Sequence, residues 1–431
     1  MNVNKVKPNG LALLPIIVFL ILFIGVGVVQ KDFYSMPAVI GFLIALAVAF
    51  LQTRGISFNE KISIIAKGVG DDNIITMCLI FLVAGAFSGS VSAAGAVNST
   101  VNLGLSLLPP GIAVIGLFII GCFISISMGT SMGTIAALAP IAMGISEKTD
   151  FPIAICIGAV VSGAMFGDNL SMISDTTIAA VRTQGCDMRD KFRKNFLIVL
   201  PAAIATIVIL FFMTSGAHFT VSKDLDYNIF QVIPYILVLV TALIGLNVFI
   251  VLIGGIAFSV IAGLATGAMK VSQIFTSMGE GATGMYDITV ISILVACISA
   301  LVKYNGGFAF ILENIHKHIH SYKGAEFGVA ALVGLIDCAT ANNTVAIVIA
   351  GPIAKEISDD YGIEPARTAS LLDMFASVFQ GIIPYGAQLL SAASLTGLSS
   401  FDIMPYLFYP YLMAVCGIVS IIISKKKLGK V

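Results

Sequence analysis

Apolar runs close to 20 residues long recur along the chain with short polar stretches between them, Leu11 to Val29 and Phe196 to Met213 being two examples. That length matches the roughly 30 Å of hydrocarbon a helix must cross. The runs read as full spans near residues 10–29, 35–52, 74–94, 151–181 and 196–214, with a re-entrant hairpin near 110–146. A second set follows near 231–247, 248–267, 286–303, 365–391 and 403–424, with a hairpin near 325–357. Lipid offers no partners to open strand edges, so the pattern predicts an all-α polytopic membrane protein. The first run is too long, and too closely followed by Met36 to Leu51, for a cleaved signal peptide.

Composition agrees. Of 431 residues, 58% are hydrophobic and 11% charged, with a mean hydropathy of +1.03, where soluble domains carry roughly a quarter charged residues. The net charge of zero leaves no electrostatic footprint for a nucleic acid. Six of the seven cysteines lie in apolar segments, only Cys186 lies in a charged loop, and no C-x-x-C spacing occurs, so neither a disulfide framework nor a zinc site follows. Of four histidines, His316, His318 and His320 cluster in a loop, away from membrane depth. Gly279-Glu-Gly-Ala-Thr-Gly284 fits G-x-G-x-x-G, but it follows an apolar helix instead of opening a βαβ unit. Gly68-Val-Gly-Asp71 resembles the G-x-G-D of intramembrane aspartyl proteases, yet its acid falls in a polar run at a span boundary. The expectation is a protein that is not an enzyme and has no cofactor.

The chain repeats itself at an offset of about 210 to 214 residues. Gly68 and Gly70 match Gly279 and Gly281, Gly95 matches Gly306, Thr130 and Thr134 match Thr340 and Thr344, and Pro152 and Phe166 match Pro365 and Phe379. The first repeat is read over 1–214 and the second over 231–431, with a connecting loop over 215–230. Five crossings per repeat, an odd number, turn the second copy upside down, the inverted plan of many secondary transporters. Each repeat then holds about five transmembrane helices, a re-entrant hairpin and a broken helix (151–181 and 365–391), and both termini lie on one side. Lys and Arg accumulate in cytoplasmic loops. Only Lys31, Lys148, Lys223 and Lys270 fall outside on this topology, leaving 19 of the 23 basic residues inside. The chain is therefore expected in a bacterial inner (plasma) membrane with both termini cytoplasmic.

Two polar breaks interrupt each repeat. Ser125-Ile-Ser-Met-Gly-Thr-Ser-Met-Gly-Thr134 sets glycines and hydroxyls at bilayer depth, and unwound backbone there is tolerated only where it lines a cavity or binds something. Gly167-Asp-Asn-Leu-Ser-Met-Ile-Ser-Asp-Thr-Thr177 puts two carboxylates on one span. On a continuous helix Asp168 and Asp175 would share a face about 10 Å apart along the axis. An unpaired acid at mid-membrane costs about 2.5–3.5 kcal/mol, so the pair needs a partner or a function. Hydroxyls alone can bond back to their own helix. In the second repeat Asp337-Cys-Ala-Thr-Ala-Asn-Asn-Thr344 and Gln380-Gly-Ile-Ile-Pro-Tyr-Gly-Ala-Gln388 are amide-rich, with Asp373 a further acid that can cap or join helices.

Gly129-Thr-Ser-Met-Gly-Thr134 resembles the G-T-S-x-G-T hairpin of the NhaC family of sodium/proton antiporters, within the ion-transporter superfamily. Gly167 to Thr177 resembles that family's G-D-x-x-S-P-x-S-D-T-T stretch, departing from it at Met172, where many relatives have proline. The resemblance implies a sodium/proton antiporter working by alternating access, with Asp168 and Asp175 as the cation and proton carriers, sodium being held at those two acids. Oxygens of Thr130, Ser131, Thr134, Asn169, Ser171, Ser174 and Thr176, and of Asp337, Thr340, Asn342, Asn343 and Thr344, complete the candidate site. It also implies a homodimer, whose partners are the lipid bilayer and small ions. A sodium- or proton-coupled carrier of an amino acid or small organic acid is the alternative, because fold does not fix substrate. A passive channel is disfavoured, since the polar breaks are separate pockets and no continuous polar stripe joins them.

Overall fold

The structure is a computed structural model that describes residues 7–30, 36–107, 110–149, 151–172, 174–215, 225–244 and 246–425. Among them every regular element is a helix. The first half runs α1 (Leu14–Gln30), α2 (Ala38–Gln52), α3 (Phe58–Val69), α4 (Asp72–Ala93), α5 (Ala96–Leu107), α6 (Pro110–Met128), α7 (Ser131–Thr149), α8 (Ile153–Leu170), α9 (Asp175–Gln184) and α10 (Met188–Ser215). The second runs α11 (Ile229–Leu243), α12 (Val248–Thr266), α13 (Ile274–Thr283), α14 (Tyr286–Tyr304), α15 (Gly307–Lys317), α16 (Tyr322–Thr340), α17 (Asn343–Tyr361), α18 (Pro365–Ile382), α19 (Ala387–Thr396), the short α20 (Ser400–Ile403) and α21 (Phe408–Ile423).

Two runs of four helices have the same lengths in the same order: α6 to α9 hold 19, 19, 18 and 10 residues, and α16 to α19 hold 19, 19, 18 and 10. Packing between the halves is reciprocal. α3 lies against α14 while α13 lies against α4, and α9 lies against α17 while α19 lies against α7.

Hydropathy predicts ten crossings, but the helices are more divided than the apolar runs. Four described helices are long and apolar enough to cross a membrane unaided (within Ile74–Ala93, Ile153–Gln184, Met188–Thr214 and Phe249–Thr266), and two bent pairs raise that to six. The Ile153–Gln184 stretch is itself interrupted between α8 and α9. Four helices, α3, α5, α13 and α15, occupy stretches where hydropathy marks no span. They are 10 to 12 residues long and mix polar with apolar positions, so a scan for long apolar runs passes over them. α3 starts on a capping box, Ser57 with Glu60. Lys5, Lys31, Lys223, Lys426, Lys427 and Lys430, and most of the 215–230 connection, lie outside the described residues.

The site-bearing helices pack at backbone distance. α6 and α8 run together because Gly163 and Gly167 face α6: a Cβ on Gly163 would stand 2.3 Å from the Phe118 carbonyl oxygen, and one on Gly167 2.5 Å from that of Cys122. Around them α7, α8 and α18 bury almost all their apolar side chains in one core, which α16 and α17 join while leaving Phe327, Leu335 and Val348 exposed. Small residues let helices approach where lipid gives no hydrophobic drive between them.

Candidate functional site

Four chain breaks meet in the middle of this core. α6 gives way to α7 at Gly129-Thr130, α8 stops at Leu170 and α9 resumes at Asp175, α16 passes to α17 through Ala341-Asn342, and α18 to α19 through residues 383–386. Asn342 caps α17, its side chain accepting from the Val345 N–H at 2.9 Å. A cavity of about 90 Å³ lies between the breaks, large enough for several water-sized particles. Its walls are Thr76 and Ile80 of α4, Thr130, Ser131 and Met132, Asp168 and Asp175, Asn342, Asn343 and Thr344, and Gln380, Ala387 and Gln388.

Asp168 sits in the last turn of α8 and is 5% exposed. Ser131 donates to its Oδ2 twice, through Oγ at 2.6 Å and the backbone N–H at 3.2 Å, and Ser174 Oγ donates to its Oδ1 at 2.6 Å. Asp175 opens α9, where a helix N-terminus favours negative charge. Its side chain is exposed to the cavity. Thr344 Oγ1 donates to its Oδ2 at 2.9 Å, a bond from the opposite half. The two acids are therefore not on one continuous helix face: the chain unwinds between them.

A directed chain of hydrogen bonds ties the second half to Asp168. Gln380 Nε2 donates to Gln388 Oε1 (2.7 Å), Gln388 Nε2 donates to Ser131 Oγ (3.0 Å), and Ser131 Oγ donates to the carboxylate. Gln380 Oε1 and Asn343 Nδ2, both on residues of the cavity wall, have no hydrogen-bond partner among the described residues.

The other expected site residues turn elsewhere. Ser171 Oγ donates to the Ile126 carbonyl at 2.6 Å and Thr134 Oγ1 to the Thr130 carbonyl at 2.9 Å, each satisfying backbone near a break. Thr176 bonds Ser174 at 2.9 Å, behind Asp168. Thr340 lines a second cavity of about 210 Å³, beside Lys67, Asp71 and Lys303, and Asn342 is the wall the two cavities share. Asp337 is 0% exposed, lines neither cavity, and its carboxylate has no partner among the described residues.

Lys191 departs furthest from its place in the sequence reading. A cytoplasmic loop over Arg182 to Asn195 is expected there, but the stretch is the end of α9, a turn at Gly185, and the first turns of α10. Lys191 is 1% exposed and forms a buried ion pair with Asp373 of α18. No single apolar run holds both charges, so hydropathy leaves each acid without a countercharge. Gln380 and Gln388 are visible in the sequence as an amide-rich break, but nothing there marks them as neighbours of Ser131.

An all-helical core with unwound segments from both halves, closing on two acids inside an apolar chain, defines a polytopic membrane transporter. The family described as the Na+/H+ antiporter family matches residues 9–215 and 227–424, and the chain belongs to that family. Among curated relatives, the malate-2H(+)/Na(+)-lactate antiporter of Bacillus subtilis is 23% identical over 435 residues, covering 93% of this chain and 92% of that one. The Na(+)/H(+) antiporter NhaC of the same organism is 24% identical over 416 residues, covering 86% and 90%. Among solved structures, the YdaH transporter of Alcanivorax borkumensis shares 14% identity over 81% of this chain and 86% of that one, with a TM-score of 0.41.

Proposed function

We propose that the chain exchanges sodium for protons at Asp168 and Asp175 by alternating access, with two inverted repeats meeting at the cavity. The observation that carries this is the convergence of two carboxylates, hydroxyls and amides from both halves on one small cavity. Hard oxygen donors suit a small alkali cation. Two carboxylates sharing one small cavity inside a packed apolar core cannot both stay ionised without a cation, so either sodium or protons must accompany them. Sodium entering as protons leave keeps that charge balanced, and each reorientation carries one or the other. The reciprocal packing of α3 on α14 and α13 on α4, and of α9 on α17 and α19 on α7, is what a pseudo-two-fold axis between the repeats would give. The reading places the protein in a bacterial inner membrane as a homodimer, which cross-linking in native membranes tests.

A second reading has its own support. Four helix N-termini, those of α7, α9, α17 and α19, open on the cavity, and their dipoles favour a negatively charged group. A small organic acid moving with the cation would use them, and the malate/lactate antiporter is among the relatives by name.

Proton movement in everted vesicles separates the two. Sodium or lithium added alone should move protons in the native chain, and the response should vanish in Asp168→Asn and Asp175→Asn. Movement evoked only by malate, lactate or an amino acid would transfer the chain to the second reading. Normal exchange in both variants would overturn the site.

A further inference from the structure

We propose that Lys191 and Asp373 form a positioning pair that clamps both sides of the α8–α9 break and so sets which alkali cation the Asp168–Asp175 site accepts, a role that rests on the cation-exchange reading. Lys191 lies in the second turn of α10, and its ammonium donates to three acceptors. These are Asp373 Oδ2, the Asn169 carbonyl at 3.0 Å and Thr177 Oγ1 at 3.0 Å. An ammonium has three hydrogens to give, so the group is saturated. Asn169 follows Asp168 directly, and Thr177 lies two residues beyond Asp175. One buried cation thereby holds the segment before the break and the segment after it against the same point.

Neighbours close the clamp. Thr177 Oγ1 donates onward to Asp373 Oδ2 at 2.9 Å. Asn195, about one turn along α10, donates to the Asn169 carbonyl at 3.0 Å and its Oδ1 at 2.7 Å, and accepts from Ser370 Oγ of α18 at 3.1 Å. The helix ends on either side of the break are thus fastened between two helices from opposite halves, both uninterrupted at these positions. Burying an ion pair is no general route to stability, since packed apolar residues of similar volume often serve as well or better. Its position at the break therefore asks for a reason other than stability. Alkali cations differ in radius by only a few tenths of an ångström, and a site discriminates among them by ligand spacing, which is what this pair fixes. Lys191 and Thr177 both bond Asp373 through Oδ2, and Asp373 lines neither cavity, so the exchange is left to Asp168 and Asp175.

The test compares Lys191→Arg with the double variant Lys191→Met/Asp373→Leu, which removes both charges together, in proteoliposomes. Apparent KM for sodium and for lithium is measured alongside thermal unfolding, followed by a thiol-reactive dye on the buried cysteines. The double variant should fold and show an apparent KM for sodium raised about 10- to 100-fold, with a changed sodium-to-lithium ratio. Lys191→Arg keeps the charge, but its planar fork cannot meet three acceptors around one point. It should shift the ratio at an unchanged melting temperature. Either variant folding with native KM and native ratio overturns the proposal, and so does failure of both to fold, which would assign the pair to stability. Sodium- and lithium-induced shifts of melting temperature give the same preference from binding alone. If the native chain binds sodium but moves no protons, the exchange reading fails while the positioning role is still decided by those shifts, and if neither ion shifts the native melting temperature both ideas fall.

Discussion

Gly129 and Ala341 hold the same backbone position in the two halves, 212 residues apart (341 less 129): each is the first residue after α6 or α16, and each is left-handed, with φ of 69° and 46°. Glycine adopts that conformation freely, whereas a residue with a Cβ pays about 1–2 kcal/mol there. Ala341→Gly should therefore raise stability by roughly 0.5–1 kcal/mol once the extra freedom of the unfolded chain is deducted. Gly129→Ala should lower it by about 1–2 kcal/mol. Thermal unfolding in detergent checks both, and equal signs for the two variants would contradict the shared geometry.

The sequence suggests an offset of 210 to 214 residues through glycines, prolines and threonines, residues whose backbone demands would recur in a second copy of one unit, and the two left-handed positions are consistent with that proposal. The polar breaks are readable because hydroxyls, amides and acids interrupt apolar runs that otherwise leave little doubt. Contacts across the halves are a different matter. Thr344 reaching Asp175, Gln388 reaching Ser131 and Lys191 reaching Asp373 join residues more than 150 positions apart, and one sequence carries no record of such distances. Lys191 was hidden for a further reason: a lysine in a basic stretch reads as solvated, and only the third dimension shows its stem entering the core.

Packing of α6 on α8 leads to a prediction about two glycines. A methyl on Gly163 would meet the Phe118 carbonyl at 2.3 Å, backbone that cannot step aside, whereas nothing lies within 4 Å of a methyl on Gly116. Gly163→Ala should lose about 1–3 kcal/mol or more through overpacking. Gly116→Ala should gain up to about 1 kcal/mol, as expected for removing a glycine from an uncrowded helix interior. Melting temperatures of the two purified variants, shifted in opposite directions, would support the helix contact that places Asp168.

Topology is checked at two exposed basic residues in a cysteine-free background. The charge distribution puts Arg189 inside and Lys270 outside, and both side chains are exposed. A membrane-impermeant maleimide should label Lys270→Cys in intact cells and Arg189→Cys only after permeabilisation. The reverse pattern would invert the whole assignment.

Hydroxyls at the breaks fall into two groups that transport kinetics should separate. Ser131 and Thr344 donate to Asp168 and Asp175, and both line the cavity. Ser171 donates to the Ile126 carbonyl at 2.6 Å and does not line the cavity. A hydrogen bond to a charged group contributes about 1.5–3 kcal/mol, which is roughly a 10- to 100-fold effect on an affinity. Thr344→Val keeps the shape but removes the donor, leaving Asp175 without its bond from the opposite half. Its apparent KM for sodium should rise by roughly 10-fold or more, and Ser131→Ala should behave alike, since Asp168 keeps Ser174 as a second donor but loses the link to Gln388. Ser171→Ala should leave the apparent KM within about 2-fold, its cost falling on stability, because an unsatisfied buried carbonyl costs about 1–3 kcal/mol. Initial rates of sodium-evoked proton movement, taken across a sodium titration at matched protein amounts, distinguish the groups. A Ser171→Ala variant that lost sodium affinity as far as Thr344→Val would place Ser171 among the ligands and redraw the cavity side of the site.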